Sequence, residues 1–260
     1  MPTEHTHRIG RRAGLVTLGV VGLALCSAPA ALARQQQSHG KPYEAEQLAC
    51  AVQAMRATPS PTAVLESTTL PGRQTYGPGD TLVIDAGTDK GLAVGQDYFV
   101  RRVLLPMDRS GAKEPWVYVR TAGWIRITEV HPRNALAQVV FACDAFDKGD
   151  LLQPFSLPVV PAPIDPPGQP DYSSPGQVLL GQDRRTTAGT RFFIAVDRGT
   201  DHGLKPGQRV TIFRRLSGPD GPVNPIAQAT VMLLLPESAV LRVDTSSQAI
   251  FVGDLVAPHR

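Results

Sequence analysis

The sequence predicts an all-β chain: two tandem small β-barrels joined by a proline-rich linker, with a short N-terminal α-helix after a signal peptide. Three observations predict it. First, one stretch occurs twice, as LVIDAGTDKGLAVGQDYFVRR at 82–102 and IAVDRGTDHGLKPGQRVTIFRR at 194–215. Asp85, Gly87, Thr88, Asp89, Gly91, Leu92, Gly95 and Gln96 recur 112 positions later as Asp197, Gly199, Thr200, Asp201, Gly203, Leu204, Gly207 and Gln208. Second, each copy closes alike, Gly149-Asp150-Leu151 matching Gly253-Asp254-Leu255. Third, the chain carries 24 glycines and 24 prolines and little helical periodicity, which favours short strands and many turns. Self-similarity at a fixed offset reads as a duplicated structural unit.

The N-terminus comes first in order. Arg8, Arg11 and Arg12 precede an apolar run at 13–25, and a small-residue stretch then ends in Ala31-Leu32-Ala33. That is the pattern of a secretory signal over 1–33, cleaved near Ala33. An uncleaved anchor is the alternative, disfavoured by the short apolar core. Arg11-Arg12 lacks the bulky apolar residue that follows a twin-arginine pair, so the general secretory route is preferred. Leu25 stands before Cys26 where a lipid-anchor signal wants a small residue. The expected location is therefore exported, periplasmic or extracellular, with no transmembrane segment in the mature chain.

Beyond residue 33 the chain has 23 basic against 22 acidic residues and no basic stripe, which argues against nucleic acid. Cys50 and Cys143 remain after Cys26 leaves with the signal, and an even pair in an oxidising compartment predicts a disulfide. Two unpaired thiols are the alternative, because parity does not prove proximity.

Residues 34–75 read as a polar segment with a helix at about 43–56 and a loop after it. Leu48, Ala51, Val52 and Met55 give that helix one apolar face. A short strand near Val64-Leu65 interrupts the loop. The first repeat, 76–154, offers strands at 81–85, 97–105, 115–130 (broken near Gly123), 135–142 and 149–153. Residues 155–176 are the proline-rich linker, extended and semi-rigid, with no sheet ladder expected of them. The second repeat, 177–260, offers strands at 191–197, 208–215, 226–235, 239–244 and 252–257. After the central hairpin the offset falls from 112 to 104, as Pro132 and Pro236 show. The difference places an insertion around MDRSGAKEPW in the first copy, at a hairpin tip that tolerates one. Five short strands per copy with glycine-rich turns suggest barrels of the SH3-like kind.

The repeated D-x-G-T-D-x-G-L segment has three readings. As a turn, glycine supplies positive φ and aspartate caps its own backbone. This accounts for Asp85, Gly87, Asp89 and Gly91, and for Asp197, Gly199, Asp201 and Gly203, without a ligand; Leu92 and Leu204 would plug the barrel ends. As a cation site, the aspartates supply oxygens, but Gly87 and Gly199, then Gln96 and Gln208, occupy positions where an EF-hand loop needs ligands. As an aspartic-type hydrolase, Asp85 and Asp197 would share a proton across two lobes, but Ala86 and Arg198 replace the hydroxyl residue that should follow each. The turn is preferred. No metal-ligand spacing appears among His39, His131, His202 and His259, and no nucleophile motif stands out. The sequence thus predicts no catalytic residues, no metal and no cofactor.

The best candidate binding surface lies in the first repeat. Trp116, Tyr118 and Arg120 alternate with Val117 and Val119, and Trp124 and Arg126 alternate with Ile125 and Ile127. With the aliphatics inward, the aromatics and arginines point outward, where they suit a glycan, a peptide groove or a protein partner. The competing reading packs them beneath the N-terminal helix, whose apolar face needs a cover.

The string G-T-D-x-G-L-x-x-G-Q, an apolar strand ending in arginine, and a closing Gly-Asp-Leu together resemble a bacterial envelope module. They are similar to the SH3-like C-terminal domain of flagellar assembly protein T, over 81–102 with 149–154 and 192–215 with 253–258. The resemblance implies a non-enzymatic, envelope-associated binding or scaffolding protein, whose partner is an envelope protein or a cell-wall component. A peptidoglycan or other glycan binder is the alternative expectation, and the hydrolase a remote one. Oligomeric state stays open.

Overall fold

The computed structural model describes residues 41–59, 61–68, 76–104, 116–181 and 186–260. The expected signal peptide, the polar stretch before residue 41 and most of the predicted hairpin insertion lie outside the described residues.

A helix, α1 (Lys41–Ala49), leads into β1 (Gln53–Met55), β2 (Ala63–Thr68), β3 (Thr81–Ile84), β4 (Asp97–Leu104), β5 (Val117–Val130), β6 (Ala135–Ala142) and β7 (Leu151–Pro154). These strands make one antiparallel sheet in the order β1-β5-β4-β7-β2-β3-β6, and a further pairing of β5 with β6 brings the sheet back on itself. The second half contributes β8 (Gly176–Gly181), β9 (Thr187–Ala188), β10 (Phe193–Val196), β11 (Arg209–Arg215), β12 (Val223–Leu234), β13 (Ala239–Ser246), β14 (Ile250–Phe251) and β15 (Leu255–Pro258). There, β10-β13-β12-β11-β15-β8 form a closed barrel.

The two halves pair in the same sequence. β3-β6-β5-β4-β7-β2 in the first runs as β10-β13-β12-β11-β15-β8 does in the second. Even the register shift on the fourth of these strands coincides, between Val100 and Arg101 and between Ile212 and Phe213. Each half uses a sixth strand, β2 or β8, ahead of the five read from the sequence. Alternation supplies each interior: Leu82, Ile84, Ile125, Ile127, Ala137 and Leu152 fill the first, and Ile194, Val210, Ile212, Val231, Leu241 and Val256 the second.

The expected helix over 43–56 is cut short. It ends at Ala49, tightens through an Ala51 N–H to Leu48 carbonyl bond, and 53–55 become β1 on the free edge of β5. A short helix is marginal by itself. The long β5 strand offers it an unpaired edge, and those ladder bonds decide the outcome.

Residues 155–175 are packed rather than a free spacer. Phe155 and Leu157 join an aromatic cluster on the first sheet, and Val160 joins α1. Ile164 N–H donates to Gly207 O at 2.8 Å, Asp171 N–H to Pro258 O at 2.8 Å, and Tyr172 lies 4.9 Å from Phe213, ring to ring. The segment straps the second barrel with scattered backbone bonds and one short bridge, where Gln169 and Arg260 exchange both N–H groups beside Pro170 and His259.

The N-terminal segment lies between the halves. Leu48 and Ala51 pack on Phe193, Met232 and Val240 of the second barrel. Ala49 and Cys50 face Phe99, Trp124 and Phe141 of the first sheet. Val52 and Ala54 meet both, in a cluster with Trp116, Tyr118, Leu179 and Leu180. Cys50 and Cys143 form the disulfide, with Cα atoms 5.7 Å apart.

Candidate functional site

The repeated turns explain themselves locally. A 3-10 turn at Thr88–Lys90 recurs at Thr200–His202, and Gly91 (φ 79°) and Gly203 (φ 78°) leave them in the left-handed region. Gly87 and Gly199 are needed for a different reason. A Cβ there would sit 2.0 Å from the His131 carbonyl oxygen and 2.1 Å from that of Leu235. This closeness lets Thr88 and Asp89 donate to His131 and Pro132, as Thr200 and Asp201 donate to Leu235 and Pro236, which seals each turn onto the adjoining hairpin. Gln96 and Gln208 accept from the Ala93 and Lys205 amides at 2.8 and 2.9 Å, and Leu92 and Leu204 are buried in the two cores.

The aspartates of the motif are divided in use. Asp89 accepts from Gly87 N–H at 3.2 Å, and His202 Nδ1 takes that place in the second copy, accepting from Gly199 N–H at 3.1 Å. Asp197 caps the Gln177 amide at 2.6 Å, while Asp85 is exposed and its backbone oxygen accepts from Lys90 Nζ at 3.1 Å. Asp85 and Asp197 sit on different sheets and are not bonded to each other. Among the described residues no three potential metal ligands converge.

Of the two readings of the aromatic face, the covered one holds. The period-two phase holds, since Trp116, Tyr118 and Trp124 point away from their own barrel interior. Yet the three are only 2%, 3% and 4% exposed, because α1, β1, the proline segment and the second barrel cover that face. Trp124 stacks on Phe141 at 4.2 Å and meets Phe99 edge-on at 5.9 Å. The arginines are committed too: Arg120 pairs with Asp144, and Arg126 binds Asp97 through two bonds of 2.7 and 2.8 Å. Asp97 raises the pKa of the Arg126 guanidinium by that hydrogen bonding.

One of these residues nevertheless borders open space. Two adjoining cavities of about 310 and 350 Å3 share Arg56, Trp116 and Glu237. Trp116 forms the floor, with the Arg56 guanidinium 3.6 Å above its ring centroid. Arg56 Nε in turn donates to Glu237 Oε2 at 2.8 Å, so one ion pair crosses the groove between the first sheet and the β12–β13 turn. One half is apolar, walled by Ala54, Met55, Pro59, Leu235 and Pro236. The other is polar, walled by Gln177, Asp197, Arg198 and His202. The second copy of the repeated turn thus supplies Asp197 and His202 to the groove. Arg198 donates to the Pro175 and Asp197 carbonyls at 2.5 and 3.0 Å. Sequence reasoning did not select Arg56 or Glu237, which lie in stretches without a motif.

Such a groove can hold a ligand that carries both charges and an apolar edge. Its charged groups are engaged in fixed bonds, and the Ser238 hydroxyl that lines it donates to the Ala54 carbonyl at 2.5 Å. No family model matches the chain, and no curated protein shows detectable similarity to it. No helix among the described residues is long and apolar enough to cross a membrane.

Proposed function

We propose that this chain is an exported, non-enzymatic binding or scaffolding protein of the cell envelope, built from two SH3-like modules. Its partner, an envelope protein, enters the groove over Trp116. The observation that carries this reading is the groove itself. It is formed only where the two halves meet, on a rigid aromatic floor, with opposite charges placed on its two sides. The disulfide supports export, because such bonds persist in oxidising compartments. Two modules wedged on one shared segment give a stiff platform, which suits a scaffold better than a flexible tether.

A glycan ligand is the second reading, favoured by carboxylates beside a tryptophan. It is weaker because Arg56 already covers the face that a sugar ring would stack on. The test is photo-crosslinking in the native envelope from a probe at Thr58, with co-sedimentation on purified cell-wall sacculi in parallel. A discrete protein adduct, lost when Arg56 and Glu237 are both replaced by alanine, supports the protein partner. Sedimentation with sacculi that depends on the same pair supports the glycan. Neither result sinks both.

A further inference from the structure

One position breaks the match between the two halves. Arg101 stands where Phe213 stands in the second barrel. The register proves the equivalence: Arg101 faces Leu151 and Thr121, Phe213 faces Leu255 and Pro225, and each follows the same register shift. Phe213 is fully buried under Tyr172. Arg101 is held by one bond from Nη1 to Thr121 Oγ1 and lies 4.5 Å over the Phe99 ring. Among the described residues no carboxylate pairs with it, and its Nε is buried with no hydrogen-bond partner. Burial lowers its pKa to about 10, the mark of a desolvated cation without a counter-ion. A position meant only for packing is already solved by Phe213.

Arg101 lines a cavity of about 390 Å3 where α1, the first sheet, the proline segment and the end of β12 converge. The remaining wall is mostly apolar, with Leu48, Phe99, Leu157, Pro158 and Leu233. We propose that this cavity binds a carboxylate-headed alkyl chain, a fatty acid of medium length, with its head group on the Arg101 guanidinium. A guanidinium presents a planar fork that matches a carboxylate, and the partnerless Nε is the donor such a head would satisfy. The single cation suits a monoanion better than a phosphate dianion. The apolar wall favours an acyl chain over a sugar, and the volume falls within the range of small-molecule sites. This site is separate from the groove over Trp116, so either proposal can fail alone.

Titration calorimetry on the full chain, disulfide intact, tests it with decanoate below its micellar concentration. Decanol and decyltrimethylammonium carry the same tail with other heads, and N-acetyl-Leu-Leu carries the carboxylate on a peptide terminus. Decanoate should bind at one site, roughly thirtyfold tighter than decanol, as expected for a charge-assisted bidentate contact. Arg101→Phe should lose that affinity by a similar factor while unfolding at a higher urea concentration than the wild type. Leu157→Trp keeps the arginine but fills the cavity, so it should also lose decanoate, and it decides the matter if Arg101→Phe does not fold. Equal affinity for decanoate and decanol, undiminished binding by either variant, or absence of decanoate binding overturns the proposal. Tighter binding of N-acetyl-Leu-Leu than of decanoate overturns the acyl ligand.

Discussion

Arg102 and Asp150 clasp each other through two bonds, Nε to Oδ1 at 2.8 Å and Nη2 to Oδ2 at 2.7 Å. Arg214 and Asp254 do the same at 2.7 and 2.8 Å. In each copy the arginine also donates to a carbonyl, of Ala145 or Ala249, and the aspartate accepts an amide, of Asp147 or Phe251. The pair fixes the loop that delivers the last strand of each half. Hydrogen bonding to Asp150 and Asp254 raises the pKa of both guanidinium groups.

Asp150→Ala should therefore destabilise the chain by about 2 kcal/mol, since it removes two charged hydrogen bonds and leaves Arg102 only the more exposed Asp147 carboxylate, 2.8 Å from Nη1. The double replacement Arg102→Met with Asp150→Leu should recover much of that loss, because the desolvation cost goes with the charges. Urea unfolding of the three proteins checks this. A double variant no better than Asp150→Ala would show that the bonds to loop backbone, not the ion pair, carry the stability.

The Cys50–Cys143 bond closes a loop with a sequence separation of 93 residues. By the chain-entropy relation, reduction should cost about 4.6 kcal/mol. Comparing urea midpoints with and without reductant measures it, with the Cys50→Ala, Cys143→Ala double variant as the reductant-independent control.

The turns should answer to glycine, not to calcium. Gly199→Ala places a methyl group against the Leu235 carbonyl, an overpacking that should cost roughly 3 kcal/mol. Asp201→Ala should fall within about 0.5 kcal/mol of wild type, as surface changes usually do. A melting temperature that rises with added calcium and loses that rise in Asp201→Ala would instead restore the cation reading.

His259 sets a pH dependence. Burial lowers its pKa, outweighing the nearby Pro167 and Gly168 carbonyls, and Nε2 lies 2.8 Å from Thr211 Oγ1. Its Nδ1 is buried without a partner of proper geometry. The unfolded chain therefore binds a proton more readily than the folded one. This contribution to stability is complete above the ordinary histidine value of 6.5 and is lost as pH falls toward the lowered folded value. Unfolding free energies at several pH values, wild type minus His259→Gln, should show a difference that changes sign or shrinks with acid in that direction. A flat difference would remove His259 from the account.

The glycine turns could be read from sequence because their causes are local: a left-handed residue and a self-capping side chain each leave a signature at fixed spacing. The arginine–aspartate clasp was half visible. Arg102, Arg214 and the two Gly-Asp-Leu strings stood out as repeats, but their contact is a tertiary fact. Burial of Trp116 and Trp124 was one of two readings, and what buries them was only partly legible. Alternation assigns a residue to one face of a strand and is silent on what covers that face. The same limit hid β1, whose residues satisfy a helical apolar pattern and pair as a strand only because β5 leaves an edge. Arg101 stood opposite Phe213 at the constant offset of 112, but the sequence could not show that its guanidinium is buried.

The segment wedged between the halves has a consequence for how the chain assembles in time. Leu48 and Ala51 emerge early from the ribosome, whereas Phe193, Met232 and Val240, which cover them, emerge far later. Until then the segment has only half its burial, and the first sheet has only half its lid. Docking of the C-terminal barrel should therefore be the closing event of folding. A chain halted before β10 would present sticky apolar surface to chaperones and proteases, which makes completion of the second barrel a checkpoint on the first.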